Sequence, residues 1–226
     1  MIIDCISDLH GYYPKLEGGD LLLLAGDYTM SGKLVQWADF FGWLREQPYE
    51  KKVLVAGNHD NFCSSGFPKN QIEADELKEV IDFLDIDVDF EYLCDSGTEY
   101  KGAKIWGSPW SLWFNGINQK CMAFTGSEED LKQKYEEIPT DIDILITHSP
   151  PYGILDINQR NQHCGSTELR NIVISRRRLS NLKLHVFGHI HECGARNYST
   201  TLCNFVNCSF VDESYNPIHG AQRIIL

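Results

Sequence analysis

The sequence predicts a layered α/β protein in which two mixed β-sheets pack together with helices outside. Short apolar runs rich in leucine and β-branched residues recur along the chain, most of them end in a Gly, Asp or His turn, and helix-like stretches lie between them. The first run is Ile2–Ile6, and Leu21–Ala25 is the longest unbroken one. Lys33–Glu46 reads as a helix before the third run, Val53–Ala56. In Ile72–Leu84, the residues Ile72, Leu77, Val80, Ile81 and Leu84 fall near helical spacing, with acids and lysines opposite. After the run Ile105–Gly107, the stretch to Gly126 carries Trp110, Trp113, Phe114 and Phe124 among Gly, Asn and Ser, as an irregular aromatic insertion would. Ser127-Glu128-Glu129-Asp130 places an N-cap before acids of a first turn and opens a helix over Glu128–Glu137. Ile142–Thr147 follows, then a helix over Glu168–Leu179 and the run Leu184–Phe187. Arg176-Arg177-Arg178 is expected to complement the dipole at the end of that helix, the alternative being a grip on phosphate. Leu202–Phe210 and Arg223–Leu226 are expected as closing strands of the second sheet.

With 226 residues, the chain is expected to form one domain over residues 1–226. A formal charge of −12 repels phosphate backbones, so long nucleic acids are poor partners, whereas a small anion held by bound cations is not excluded. The eight cysteines contain no C-x-x-C pair, which argues against a zinc ribbon or a dithiol redox site. Met1-Ile2-Ile3-Asp4 has neither a basic stretch nor a long apolar one, and no apolar run approaches membrane-spanning length. The expectation is a soluble, reduced, cytoplasmic protein with no membrane partner.

Acids, histidines and an asparagine collect just after the carboxyl ends of successive strands, where open α/β sheets place ligands. They are Asp8-Leu9-His10-Gly11, Gly26-Asp27, Gly57-Asn58-His59-Asp60, His148 and Gly188-His189-Ile190-His191. Residues two apart on extended chain point the same way, so Asp8 with His10, and His189 with His191, can face one site. A mixed Asp/His/Asn donor set suits Mn²⁺, Fe, Co²⁺, Ni²⁺ or Zn²⁺ better than Ca²⁺. Seven candidate ligands exceed the needs of one ion, and a carboxylate such as Asp27 can bridge two. Taken singly, each block has an ordinary explanation: Asn-His-Asp as a turn, the glycines as tight strand exits. Five blocks in this order, each at a strand end, do not. His185, inside a buried strand, reads as a core histidine.

These blocks resemble the signature of the calcineurin-like metallophosphoesterases, D-x-H, G-D, G-N-H-[D/E], a lone His and G-H-x-H, over Asp8 to His191. The chain is most similar to the small metallophosphoesterase-domain-containing branch, related to class III cyclic-nucleotide phosphodiesterases. Pro48-Tyr49-Glu50, Gly107-Ser108-Pro109-Trp110, Gly165 and His185–Glu192 carry that finer match. The resemblance implies a four-layer αββα sandwich and two divalent cations. One would be held by Asp8, His10, Asp27 and His191, the other by Asp27, Asn58, His148 and His189, with His59 as the acid or electrostatic clamp at the leaving group. Many members carry G-D-x-x-D, whose second Asp orients that histidine; here the position is Met30. Either another group orients His59 or it acts without one, and a slower enzyme is expected rather than a dead one.

The implied reaction is hydrolysis of a phosphodiester, including cyclic nucleotides. The pair of ions lowers the pKa of a bridging water from about 15.7 towards neutrality, and the hydroxide attacks phosphorus in line. Mn²⁺ is the expected ion, and a small phosphate ester the expected partner. The rival readings are a phosphomonoesterase or a nuclease of the same superfamily, and a weakly active regulator that binds metal or nucleotide. Trp110, Trp113 and Phe114 either stack a base or form a satellite apolar cluster.

Overall fold

The computed structural model describes residues 1–60, 82, 85, 87–114, 121–175 and 179–226. The helix expected over Ile72–Leu84 falls almost wholly outside the described residues, and Arg176-Arg177-Arg178 falls outside them entirely.

The first sheet contains β1 (Ile2–Ile6), β2 (Gly19–Ala25), β3 (Tyr49–Val55), β4 (Glu91–Tyr92) and β13 (Gln222–Ile225), in the order β13-β1-β2-β3-β4. β1 to β4 are parallel, and β13 lies antiparallel on the outer edge of β1. The second sheet contains β5 (Ser96–Tyr100), β6 (Ala103–Ser108), β9 (Ile144–Thr147), β10 (Leu184–Phe187), β11 (Arg196–Ser199) and β12 (Asn204–Asn207), in the order β11-β12-β10-β9-β6-β5. Its four inner strands are parallel and its two edge strands antiparallel. A short parallel pair, β7 (Ser111–Leu112) and β8 (Thr125–Gly126), lies within the aromatic insertion.

Strand alternation builds the layers. Ile3, Cys5, Leu21, Leu23, Val53 and Val55 of the first sheet pack against Ile105, Ile144, Ile146, Leu184, Val186 and Val206 of the second, in one apolar interlayer. The alternate residues Ile6, Leu22, Leu24 and Leu54 join the buried face of α1 (Leu34–Arg45), formed by Trp37, Phe40, Phe41 and Leu44. Leu145, Phe187 and Phe205 belong with Leu131 and Tyr135 of α2 (Glu128–Glu136), and with Leu169 and Ile172 of α3 (Thr167–Val173). This is the four-layer αββα arrangement expected.

Ser127 caps α2: its hydroxyl accepts from Asp130 N while the Asp130 carboxylate accepts from Ser127 N at 2.9 Å. α3 stops at Val173, short of the expected Leu179. The C-terminal strand corrects a second expectation, since it belongs to the first sheet. Arg223 sits opposite Asp4 and donates to both its carboxylate oxygens at 2.7 and 2.8 Å, a bidentate pair that selects the β1 edge. Leu202–Phe210 contributes only β12. Among the described residues, no helix is long and apolar enough to cross a membrane.

Both sheets direct the carboxyl ends of their parallel strands to one edge of the sandwich. Beyond β1 and β12 the chain closes that edge, with Ser7 N donating to Cys208 O at 3.0 Å and Phe210 N to Ser7 O at 2.9 Å.

Candidate metal centre

All eight residues singled out in the sequence meet at this edge. Asp8, His10 and His191 form one group whose ligand atoms lie within 4.8 Å of one another; Asp27, His148 and His189 form another; His10, Asp27 and His59 form a third that joins them. Asn58 stands beside the second group, its Oδ1 3.0 Å from His148 Nε2.

The backbone leaving the strands is strained to achieve this. Asp8, His10, Asp27 and His189 all have positive φ, between 45° and 68°, which costs each on the order of 1 kcal/mol or more. Backbone bonds hold the first two in place: Asp8 N donates to Gly26 O at 2.9 Å and His10 N to Asp27 O at 3.0 Å. Gly57 and Gly188 have a different reason from the tight exit expected. A Cβ at Gly57 would lie 2.2 Å from Asp27 Oδ1, and one at Gly188 would lie 2.1 Å from Asp8 Oδ2. They are glycines because side-chain oxygens pass against their Cα atoms: the Asp27 carboxylate at Gly57, and at Gly188 the Ser7 hydroxyl, nearest at 1.9 Å, together with the Asp8 carboxylate.

Side-chain and backbone donors aim each ligand. Asp8 Oδ2 accepts from the hydroxyls of Ser7 and Ser209 and from His189 N. Asp27 Oδ1 accepts from His59 N at 2.8 Å. Asn58 Nδ2 donates to Cys121 O at 2.9 Å, which turns its oxygen inward. A carbonyl oxygen only accepts, so the contacts of Nδ1 to Ala25 O (His148, 2.8 Å), Asp212 O (His191, 3.1 Å) and Met30 O (His59, 2.9 Å) each assign the proton to Nδ1. His59 is therefore oriented by the backbone carbonyl of residue 30, which resolves the question posed by Met30.

The donor set fits divalent cations. His148 Nε2 faces Asn58 Oδ1 at 3.0 Å and Asp27 Oδ2 at 3.4 Å, so one ring nitrogen and two oxygens converge. His191 Nε2 likewise faces Asp8 Oδ1 at 3.2 Å and His10 Nε2 at 3.3 Å. Buried carboxylates among these groups need positive charge beside them, which bound cations or protonated histidines supply.

The titration behaviour agrees. Burial would raise both carboxyls, yet His191 and His148 hold Asp8, and His148 and His59 hold Asp27, well below the usual carboxylate range. Burial opposes protonation of His148, but Asp27 outweighs it and raises the imidazole to about 9. His59 rises against burial to about 10, mainly through Asp27. Burial keeps His10 down at about 4 and, with the charge of His148, His189 at about 3.

Three contributors had no role in the sequence reading. Asp60, fully buried, accepts from the backbone N–H groups of Asp27, Gly57 and Thr29 at 2.8 to 3.1 Å and so ties the β2 exit to the β3 exit. Burial and the Asp27 charge push its carboxyl up to about 7 against those donors. Ser209 and Tyr215 arrive from the C-terminal segment, where no motif marks them. The metal groups open into a cleft of about 290 Å³ lined also by Phe114, Asn158, Gln159, Cys164, Glu192 and Tyr215. Trp110 is not in it: its indole donates to Asp95 at 2.8 Å, its ring meets Phe124 edge-on and it joins the main core, whereas Phe114 packs with Cys164, Ile190 and Cys193 and lines the cleft.

Known proteins resemble this chain in sequence and fold. The Calcineurin-like phosphoesterase family matches residues 1–193. Metallophosphoesterase domain-containing protein 1 of Homo sapiens is 35% identical over 95% of this chain and 68% of its own length. UPF0046 protein C25E10.12 of Caenorhabditis elegans is 32% identical over 95% and 78%. Among solved structures, TT1561 of Thermus thermophilus superposes with a TM-score of 0.56 at 15% identity, covering 91% of this chain and 88% of that one. Phosphopantetheinyl Hydrolase of Mycobacterium tuberculosis gives 0.52 at 17% identity, covering 92% and 88%. The structures share the fold, the closer relatives share the sequence as well, and the chain belongs to the calcineurin-like phosphoesterase family.

Proposed function

We propose that this phosphoesterase hydrolyses phosphodiester bonds of small molecules with two divalent cations, Mn²⁺ foremost, in the cytoplasm. The observation that carries the reading is the convergence of Asp8, His10 and His191, and of Asp27, His148 and His189, each set with its ligand atoms within 4.8 Å of one another and Asn58 beside the second. Asp8, His10, Asp27 and His191 would hold one ion, and Asp27, Asn58, His148 and His189 the other, with Asp27 between them. When bound, the ions supply Lewis-acid charge for the phosphate and a water acidified to near neutrality.

The chain's own residues do the remainder. Asp8, fixed by Ser7, Ser209 and His189 N, needs no reorganisation to keep its position. His59 carries a proton at neutral pH, with Nδ1 held by Met30 O and Cys121 beside the ring, and its imidazolium would meet the departing oxygen as acid or electrostatic clamp. His148 and His191, each with Nδ1 held by a carbonyl, turn Nε2 inward, where it would ligate a cation on losing its proton.

Metal-stripped protein restored with Mn²⁺ should hydrolyse bis-p-nitrophenyl phosphate faster than p-nitrophenyl phosphate, and Asp27→Ala should abolish both activities. A monoester preference would overturn the substrate class, and no metal-dependent turnover on either ester would overturn the reading.

A further inference from the structure

Tyr215 stands at the cleft without a part in the ligand geometry. It lies in a turn organised by Asp212, whose Oδ1 accepts from Ser214 N at 2.9 Å and Asn216 N at 2.8 Å and whose carbonyl accepts from Tyr215 N at 2.9 Å. That carbonyl also receives His191 Nδ1 at 3.1 Å, so one turn both aligns a candidate ligand and presents the tyrosine. Tyr215 has φ 61°, a conformation bulky side chains rarely adopt. Its ring meets His10 edge-on at 4.8 Å and His191 at 5.2 Å, with His59 at 6.3 Å. The residue is 37% exposed and lines the cleft, and its hydroxyl has no hydrogen-bond partner among the described residues. Ring packing alone would be served equally by phenylalanine. A half-buried phenol on a polar cleft adds a donor that a ligand can use.

We propose that Tyr215 contacts the substrate, its hydroxyl donating a hydrogen bond to a non-bridging oxygen of the phosphate group while its ring covers the His10 and His191 side of the site. The inference rests on the phosphoesterase reading and adds to it a binding residue from outside the family signature.

The test is calorimetric titration of inorganic phosphate into Mn²⁺-loaded wild type, Tyr215→Phe and Tyr215→Ala, with Mn²⁺ affinity measured separately on stripped protein. Tyr215→Phe keeps the ring and should bind phosphate about tenfold more weakly, the loss of one hydrogen bond to a charged group. Its Mn²⁺ affinity should stay within about twofold of wild type, because this role leaves the ligands untouched. Tyr215→Ala should bind phosphate no better than Tyr215→Phe. Wild-type phosphate affinity in Tyr215→Phe, or a parallel fall in Mn²⁺ affinity, would reduce Tyr215 to a cover over the histidines and overturn the proposal. Wild type that binds phosphate no better with Mn²⁺ than without would instead remove the phosphoesterase reading, and the role of Tyr215 with it.

Discussion

Two fully buried histidines on neighbouring strands of the second sheet behave in opposite ways. His185, inside β10, makes one contact of consequence, Nε2 to Thr147 Oγ1 at 2.9 Å. Thr147 gives its own proton to Ser149 O at 2.7 Å, so His185 is the donor and its Nδ1 has no partner among the described residues. Burial pushes it down to about 3, and it stays neutral. His148, one residue beyond β9, is as deeply buried but faces Asp27, and rises to about 9. Burial by itself makes a histidine a poor base. A site for cations arises where carboxylates are aimed at the buried ring nitrogen, and here the strained exits of β1 and β2 do the aiming.

The largest expected effect comes from removing that aim. Asp27→Asn keeps the shape and deletes the charge shared by both groups, leaving His148 in surroundings closer to those of His185. Lewis-acid stabilisation is worth several kcal/mol and each 1.36 kcal/mol is tenfold, so Mn²⁺-dependent kcat/KM should fall by about 10³ or more. Metal content per chain should fall with it. A variant that kept both its metal and its rate would show that Asp27 is not the common ligand.

The other half of the comparison is sharpened at His185. A histidine whose folded pKa is depressed leaves the unfolded chain binding more protons below about 6.5, so stability is lost as pH falls from there towards about 3. Between pH 6.5 and 5 this amounts to about 2 kcal/mol at 1.36 kcal/mol per unit. Urea unfolding of metal-free protein at pH 7.5 and 5 should show His185→Leu losing about that much less than wild type, with hydrolysis little changed. Equal losses in the two proteins would mean that His185 titrates normally in the fold.

The site was legible in the sequence because its residues ride at short, fixed offsets from strands that read as continuous apolar runs. Where that coupling of pattern to position fails, so does the reading. β5 is Ser-Gly-Thr-Glu-Tyr, an edge strand that buries none of its residues fully and so carries no apolar run. The sheet that takes the last strand depends on Arg223 meeting Asp4, a pair 219 residues apart in sequence. Asp212 and Tyr215 announce only a turn, and their importance exists only once that turn is set against His191. Asp60 lay inside a recognised block, but its three backbone donors come from two different strand exits.

The smallest expected effect concerns His59, whose Nδ1, like that of His148, is held by a backbone carbonyl and not by a side chain. A carboxylate at position 30 would hold the imidazole through a side chain, whereas here the Met30 carbonyl does so at 2.9 Å and the Met30 side chain is exposed. Any residue that keeps the backbone path supplies the same carbonyl. Met30→Ala should therefore leave kcat within about threefold of wild type, the range of an exposed side chain that makes no specific contact. Met30→Asp should gain little, because the new carboxylate would compete for an Nδ1–H that already has an acceptor. A tenfold gain in Met30→Asp would show instead that the carbonyl is a weak substitute and that His59 limits the rate.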